Sequence, residues 1–145
     1  RQAEVKSTVA ADGKHLSRVL ENLLGNAAKY ALPGTRVYAE ITEQDGGTGT
    51  GAGPGIGDGS GAGTVSLSIK NVSAAPLEVS PEMLTERFVR GERSRNTEGS
   101  GLGLYIAKYL LEGMGGSLTI GISGDLFDAA VKLPRARFCE KTPKA

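Results

Sequence analysis

The stretch Thr97-Glu-Gly-Ser-Gly-Leu-Gly-Leu104 places Gly99, Gly101 and Gly103 directly before an amphipathic segment. Apolar residues recur there at helical spacing, namely Leu104, Ala107, Leu111 and Met114. A glycine-rich helix entry lets backbone N–H groups approach an anion, and the helix dipole adds partial positive charge at that end. The stretch therefore predicts a phosphate cradle, although glycines before a helix are common when taken alone.

A second segment, LSRVLENLLGNAAKYA at residues 16–31, predicts another amphipathic helix. Its apolar stripe consists of Leu16, Val19, Leu20, Leu23, Leu24, Ala27 and Ala28. Asn22 and Asn26 are four residues apart and share a face at the edge of that stripe. Asparagine is a poor helix-interior residue because its amide competes for backbone groups. Helix–helix hydrogen bonding or simple solvent exposure would explain one such residue more readily than two.

The alternative explanation for the two asparagines is a magnesium nucleotide site. Mg²⁺ takes hard oxygen ligands, often one or two from protein and the rest from phosphates and water, and an Asn carbonyl oxygen qualifies. Lys29 and Tyr30 follow Asn26 by one helical turn. The Lys29 ammonium can meet phosphate as a point charge, and the Tyr30 ring offers a surface for stacking on adenine.

Three motifs together resemble the catalytic and ATP-binding domain of bacterial sensor histidine kinases. Residues 22–30 resemble the N box, residues 86–91 (ERFVRG) the F box, and residues 99–104 the second glycine box, all in family order. The resemblance covers roughly residues 3 to 134. It implies the Bergerat-type ATP-binding fold that gyrase-type topoisomerases, heat-shock chaperones and mismatch-repair ATPases share. This is an α+β, two-layer α/β sandwich with a mixed, mainly antiparallel sheet and about three helices on one face.

The resemblance also assigns roles to individual residues. It makes Asn26 the Mg²⁺ ligand and places Asn22, Lys29 and Tyr30 around ATP, with Asn22 and Asn26 as the catalytic pair. An ATP lid is expected at residues 89–100. Further nucleotide contacts are expected from Asn71, Phe88, Arg90, Arg95, Gly99, Ser100, Gly101, Leu102, Gly103 and Leu104.

The lid residues keep alternative interpretations. Arg90 and Arg95 are as consistent with a solvated charged loop as with bidentate phosphate clamps, and Arg93 is expected in solvent. Phe88 fits a core position as well as the lid base, where the family aromatic contacts the phosphoacceptor domain.

One position favours phosphotransfer over hydrolysis. In related gyrase-type ATPases a glutamate four residues before the magnesium-binding Asn activates water, and here that position is Asn22, which cannot act as a general base. Glu21 is adjacent but turned by about 100° around the helix. The resemblance implies that the nucleophile is a histidine on a separate dimerisation and histidine-phosphotransfer domain, with relay to a response regulator. His15, the single histidine, is expected at the surface or as a capping residue.

The chain departs from the family pattern at the first glycine box. After the strand-like run 65–69, Asn71 takes the place of the family Asp that reads adenine, Ser73 takes the place of the first Gly, and the second Gly is absent. An alternative function follows from this departure: a degenerate nucleotide-binding or docking module of the same fold, without kinase activity. The other two boxes favour the kinase domain.

Composition is compatible with this interpretation. The 145 residues fit one domain, and a net charge of +1 gives no strong bias toward nucleic acid or a membrane surface. The single cysteine, Cys139, excludes an internal disulfide and fits a reducing compartment. No apolar run approaches the roughly 20 residues of a membrane span. We therefore expect a cytoplasmic domain without membrane contact of its own, excised from a longer, membrane-anchored sensor.

Glycines and small residues dominate residues 46–63, too densely to bury apolar area. The segment joins the strand-like runs 36–42 and 64–71, so residues 45–63 are predicted to be a flexible hairpin loop. The remaining elements are predicted as follows: a strand at 3–10, Asp12 as N-cap, a helix end at Pro33-Gly34, a short helix from Pro81 to Leu84, a helix end at Gly115-Gly116, strands at 117–122 and 126–133, a domain end at 134 and a tail at 135–145.

Overall fold

A computed structural model describes residues 8–45, 63–78, 80–86 and 102–136 of the chain. This part contains three helices and four strands. In chain order they are α1 (Gly13–Tyr30), β1 (Tyr38–Gln44), β2 (Thr64–Val72), α2 (Pro81–Leu84), α3 (Gly103–Gly113), β3 (Ser117–Ser123) and β4 (Leu126–Pro134).

Helix α1 begins at the predicted cap and buries a narrower stripe than the sequence pattern predicts. The Asp12 carboxylate accepts from the backbone N–H groups of Lys14, at 2.9 Å, and His15, at 3.1 Å. These bonds satisfy two of the donors that a helix N-terminus leaves unpaired, and they lower the pKa of Asp12. The buried residues of α1 are Val19, Leu23 and Ala27. Leu24 is 49% exposed and Ala28 is exposed, so these two lie outside the buried stripe.

The four strands form one sheet in the order β1-β2-β4-β3. Every pairing among these described strands is antiparallel, which confirms the mainly antiparallel character expected of the sheet. Strand β1 begins two residues later than predicted, at Tyr38, and β2 extends one residue further, to Val72. The predicted strand at 3–10 is described only from residue 8, where Val9 forms an isolated antiparallel bridge with Arg135.

One face of the sheet carries the helices. Burial alternates along β4, where Phe127, Ala129, Val131 and Leu133 are buried, and the same face of β2 contributes Ile69. These side chains form a single core with residues of α1 and α3, including Ala107 and Leu111. The opposite face is polar, and there the Ser68 hydroxyl donates to Asp128 Oδ1 over 2.7 Å. The predicted two-layer α+β architecture is therefore confirmed.

Helices α2 and α3 start and stop near the predicted positions. The Ser80 hydroxyl oxygen accepts from the backbone N–H of Met83 over 3.4 Å, and Pro81 occupies the first turn of α2. Helix α3 ends at Gly113, and Gly115 adopts a φ of 75°, in the left-handed region that favours glycine. The chain thus turns back directly into β3, which pairs with β4.

The glycine-rich segment has anchored ends. Arg135 Nη1 binds Asp45 Oδ1 at 2.9 Å, and the Arg135 backbone N–H donates to the Gly63 carbonyl over 2.8 Å. A Cβ on Gly63 would collide with the carbonyl oxygen of Gln44, so the two chain ends pass close together at this position. The predicted loop included Asp45 and Gly63, but the structure attaches both residues to the end of the sheet; residues 46–62 lie outside the described part.

Candidate functional site

Asn22 is positioned against the N-terminus of α3. A Cβ built on Gly103 would lie 3.9 Å from both Cβ and Oδ1 of Asn22, so the helix backbone passes close to this side chain. Asn22 Nδ2 is buried and has no hydrogen-bond partner within the described residues. An unmet buried donor costs free energy, about 1–3 kcal/mol. The Asn22 side chain therefore holds a buried hydrogen-bond donor that no described residue satisfies.

The first turn of α3 supplies further donors at the same place. Its N-cap residue, Leu102, makes no side-chain capping hydrogen bond, and the Ile106 N–H donates to the Leu102 carbonyl over 2.8 Å. The N–H groups of Gly103, Leu104 and Tyr105 precede that bond and have no partner within the helix. These backbone donors and the helix dipole favour a negatively charged group at the start of α3, next to the Asn22 side chain, whose Oδ1 and Cβ are its atoms nearest to Gly103.

Asn71 lies on the helix-facing side of β2 and is 2% exposed. Its Oδ1 is buried without a partner in the described part of the chain, whereas its Nδ2 donates to the neighbouring Val72 carbonyl over 3.3 Å. Buried polar groups in folded proteins are nearly always paired. Asn71 thus presents an unmet acceptor, the counterpart of the unmet donor on Asn22.

The end of α1 is joined to the end of β2 by backbone hydrogen bonds. The Ala74 N–H donates to the Tyr30 carbonyl over 2.9 Å, and the Leu32 N–H donates to the Val72 carbonyl over 2.8 Å. Asn22 and Tyr30 are eight residues apart on α1, which corresponds to about 12 Å along the helix. An acceptor near the C-terminal end of α1 and donors near Asn22 therefore suit a ligand with a polar ring at one end and an anion at the other.

The last two turns of α1 carry the other predicted residues of this helix, namely Asn26, Lys29 and Tyr30. Asn26 is half-buried one helical turn from Asn22, on the same face of α1. Lys29 is exposed, and its Nζ lies 5.2 Å from the centroid of the half-buried Tyr30 ring. The structure therefore brings together the polar face of α1 that the sequence predicted.

Glu21 faces away from this arrangement. Its carboxylate pairs with Arg18 at 3.7 Å, and its side chain is 69% exposed. Among the described residues no group of three or more His, Cys, Asp or Glu side chains could hold a metal ion.

Several predicted residues lie outside the described residues, so the structure does not test them: Phe88, Arg90, Arg95, Gly99, Ser100, Gly101 and the lid at 89–100. Leu102, Gly103 and Leu104 are described and lie at the start of α3. Ser73, at the place of the first family Gly, closes a short turn, since its hydroxyl donates to the Ala75 carbonyl over 2.7 Å. The sequence pattern did not reveal the backbone link between α1 and β2, for which the Pro33-Gly34 turn was the nearest signal.

Comparison with known proteins decides the family. The profile of the family described as histidine kinase-, DNA gyrase B-, and HSP90-like ATPase matches residues 11–137. The chain belongs to this family. No helix of the described part of this family member is long and apolar enough to cross a membrane.

Relatives within the family are sensor kinases. The chain is 33% identical over 118 residues to a probable sensor protein PcoS of Escherichia coli, covering 80% of this chain and 22% of that protein. It is 33% identical over 112 residues to the signal transduction histidine-protein kinase/phosphatase MprB of Mycobacterium sp. (strain KMS), covering 77% of this chain and 19% of that protein. The chain thus spans about a fifth of the length of these two relatives.

Solved structures agree with the sequence relatives. A mycobacterial sensor histidine kinase MprB superposes with a TM-score of 0.69 at 27% identity, over 90% of this chain and 78% of that one. Full-length ShkA in complex with AMPPNP superposes with a TM-score of 0.62 at 27% identity, over 90% of this chain and 23% of that one. The chain is a histidine-kinase-type ATPase domain, homologous to those of sensor kinases.

Proposed function

We propose that this chain is the ATP-binding catalytic domain of a two-component sensor histidine kinase. In this role it transfers the γ-phosphate of ATP to a histidine on a separate dimerisation and histidine-phosphotransfer domain of the same parent protein. That histidine then passes the phosphate to a response regulator. The proposed parent is a membrane-anchored sensor whose catalytic domain is cytoplasmic.

The observation that carries this proposal is the pair of unmet buried amide groups, one on Asn22 of α1 and the other on Asn71 of β2. Asn71 Oδ1 is an acceptor suited to the 6-amino group of adenine, and Asn22 Nδ2 is a donor suited to a phosphate oxygen. The uncapped first turn of α3 adds backbone donors next to Asn22. The distance of about 12 Å along α1 leaves room for the ribose and the α- and β-phosphates between the two ends.

The residues present also fit a Mg²⁺ ion that arrives with the nucleotide. Asn26 would offer its amide oxygen, which is the kind of hard ligand Mg²⁺ prefers, and the phosphates and water would supply the rest. Bound Mg²⁺ supplies charge neutralisation on the phosphates. Asn22 and the first N–H groups of α3 hold the phosphate end, and Tyr30 and Asn71 hold the base end.

The residue at position 22, where related gyrase-type ATPases carry a water-activating glutamate, favours phosphotransfer over hydrolysis. Asn22 has no basic group to accept a proton from water, and the Glu21 carboxylate is turned to solvent and paired with Arg18. The bound nucleotide is therefore held for an external nucleophile. The docking-module alternative rests on the altered first glycine box alone, where Ser73 still closes the turn after β2.

Magnesium-dependent ATP binding tests the proposal. We expect Asn26→Ala to abolish the magnesium-dependent part of ATP binding in calorimetry while leaving the melting temperature almost unchanged, because Asn26 lies at the edge of the buried stripe. Glu21→Ala, on the exposed side of the same helix, is the matched control and should bind ATP as the unmodified chain does. Equal binding by the Asn26→Ala protein would refute the metal role.

Phosphotransfer is tested with the acceptor domain supplied separately. We expect radiolabel from γ-labelled ATP to appear on the parent's dimerisation domain when it is mixed with this chain, as an acid-labile phosphohistidine. The chain alone should take up no label, because the proposed acceptor histidine belongs to the dimerisation domain and His15, the single histidine here, is an exposed residue near the start of α1. Acid-labile label on His15 would contradict the assignment.

A further inference from the structure

Asn71 carries a donor and an acceptor at a buried position where little fixes their orientation. Its side chain makes one hydrogen bond to a described residue, from Nδ2 to the Val72 carbonyl, at a long 3.3 Å. The Val72 carbonyl also accepts from the Leu32 N–H over 2.8 Å. If the Asn71 amide turns over, the Val72 carbonyl therefore keeps a partner.

We propose that Asn71 lets this site accept 6-oxopurine nucleotides, such as inosine and guanosine triphosphates, as well as ATP. The inference rests on the proposed nucleotide site and concerns which base that site admits. In the described orientation Oδ1 is the unmet group and accepts from the 6-amino group of adenine. After a half-turn of the amide, Nδ2 donates to a 6-oxo group instead.

The energetic balance favours ATP only slightly. Turning the amide gives up a long neutral hydrogen bond, and the loss of such a bond weakens binding by about two- to fivefold, toward the lower end of the usual range. The half-turn also brings Oδ1 near the Val72 carbonyl oxygen, and a hydrogen bond from the N1–H beside the 6-oxo group to Oδ1 offsets the repulsion between these two acceptors. A carboxylate at position 71 could accept from the 6-amino group of adenine, but it could not donate to the 6-oxo oxygen and would repel it, so only the N1–H of a 6-oxopurine would remain as a partner.

Three triphosphates that differ at the 6-position test this inference on the unmodified chain. ATP has a 6-amino group, inosine triphosphate a 6-oxo group, and purine riboside triphosphate only hydrogen. We expect inosine triphosphate to bind about two- to fivefold more weakly than ATP. Purine riboside triphosphate should bind more weakly than both, because it leaves the buried amide unmet. Inosine triphosphate that binds no more tightly than purine riboside triphosphate would overturn the inference.

Asn71→Asp gives a second, independent measurement at pH 8, where a carboxylate of ordinary acidity is ionised. We expect the ratio of the inosine and adenosine triphosphate dissociation constants to rise at least about tenfold over that of the unmodified chain. An unchanged ratio in a folded Asn71→Asp protein would overturn the inference. If the unmodified chain binds none of the three triphosphates, the proposed nucleotide site itself is refuted together with it.

Discussion

Gly103→Ala separates folding from ligand binding at the first residue of α3. The added Cβ would lie 3.9 Å from both Cβ and Oδ1 of Asn22, which is ordinary van der Waals contact. Alanine is also the better helix former, by up to about 1 kcal/mol. We therefore expect the free energy of unfolding to be unchanged or slightly raised, with a melting temperature at most a few degrees higher.

The same methyl group should weaken ATP binding. It projects into the space between Asn22 and the uncapped first turn of α3, where a phosphate oxygen must come within about 2.9 Å of the backbone donors. Losing one charge-assisted hydrogen bond costs about 1.5–3 kcal/mol, so the dissociation constant for ATP should rise roughly 10- to 150-fold.

Calorimetric ATP titration and thermal melting of three proteins would measure both effects. The control is Gly113→Ala at the other end of α3, where nothing lies within 4 Å of an added Cβ. That variant reports the change in helix propensity without touching the site and should bind ATP normally. If Gly103→Ala bound ATP as tightly as Gly113→Ala, the phosphate end would not lie at this helix terminus.

Three further predictions concern the fold. Replacing residues 46–62 with four residues while keeping Asp45 and Gly63 should change stability by less than about 1 kcal/mol in chemical denaturation and preserve ATP binding. Leu111→Ala should cost about 2–5 kcal/mol in the same measurement, because Leu111 is fully buried. Asp12→Ala should lower the melting temperature at pH 7. Because the folded-state pKa of Asp12 lies below its ordinary value of 3.8, the capping advantage is present above that value and should disappear as the pH falls through the folded-state pKa.

The predicted features with local causes were confirmed by the structure. The Asp12 cap, the Ser80-Pro81 helix start and the amphipathic period of α3 depend on residues a few positions apart, so the sequence reveals them. The attachment of Asp45 and Gly63 through Arg135 could not be predicted, because it joins residues that are distant in the chain. The width of the α1 stripe was overestimated for the same reason, since only packing determines that Leu24 stays exposed.

The sequence predicted which residue types form the candidate site. It could not predict which of their hydrogen-bonding atoms the fold leaves without a partner. A sequence shows that Asn22 and Asn71 can donate and accept; it does not show which of their atoms the fold leaves without a partner. Packing between elements that are distant in the chain decides this: Asn71 is buried on β2, and the start of α3 at Gly103 passes close to the Asn22 side chain.

The proposed nucleotide site gives a reason for asparagine at positions 22 and 71, where apolar side chains would stabilise the ligand-free domain. Each buried amide atom without a partner costs about 1–3 kcal/mol, and at position 22 on α1 asparagine is also a weaker helix former than leucine. A ligand that hydrogen-bonds to both Asn22 and Asn71 recovers this free energy on binding. The recovered free energy increases the affinity for the ligand and thereby raises the stability of the ligand-bound domain. The ligand-free domain is thereby less stable than its core would allow, which is the usual consequence of holding a binding site ready in advance.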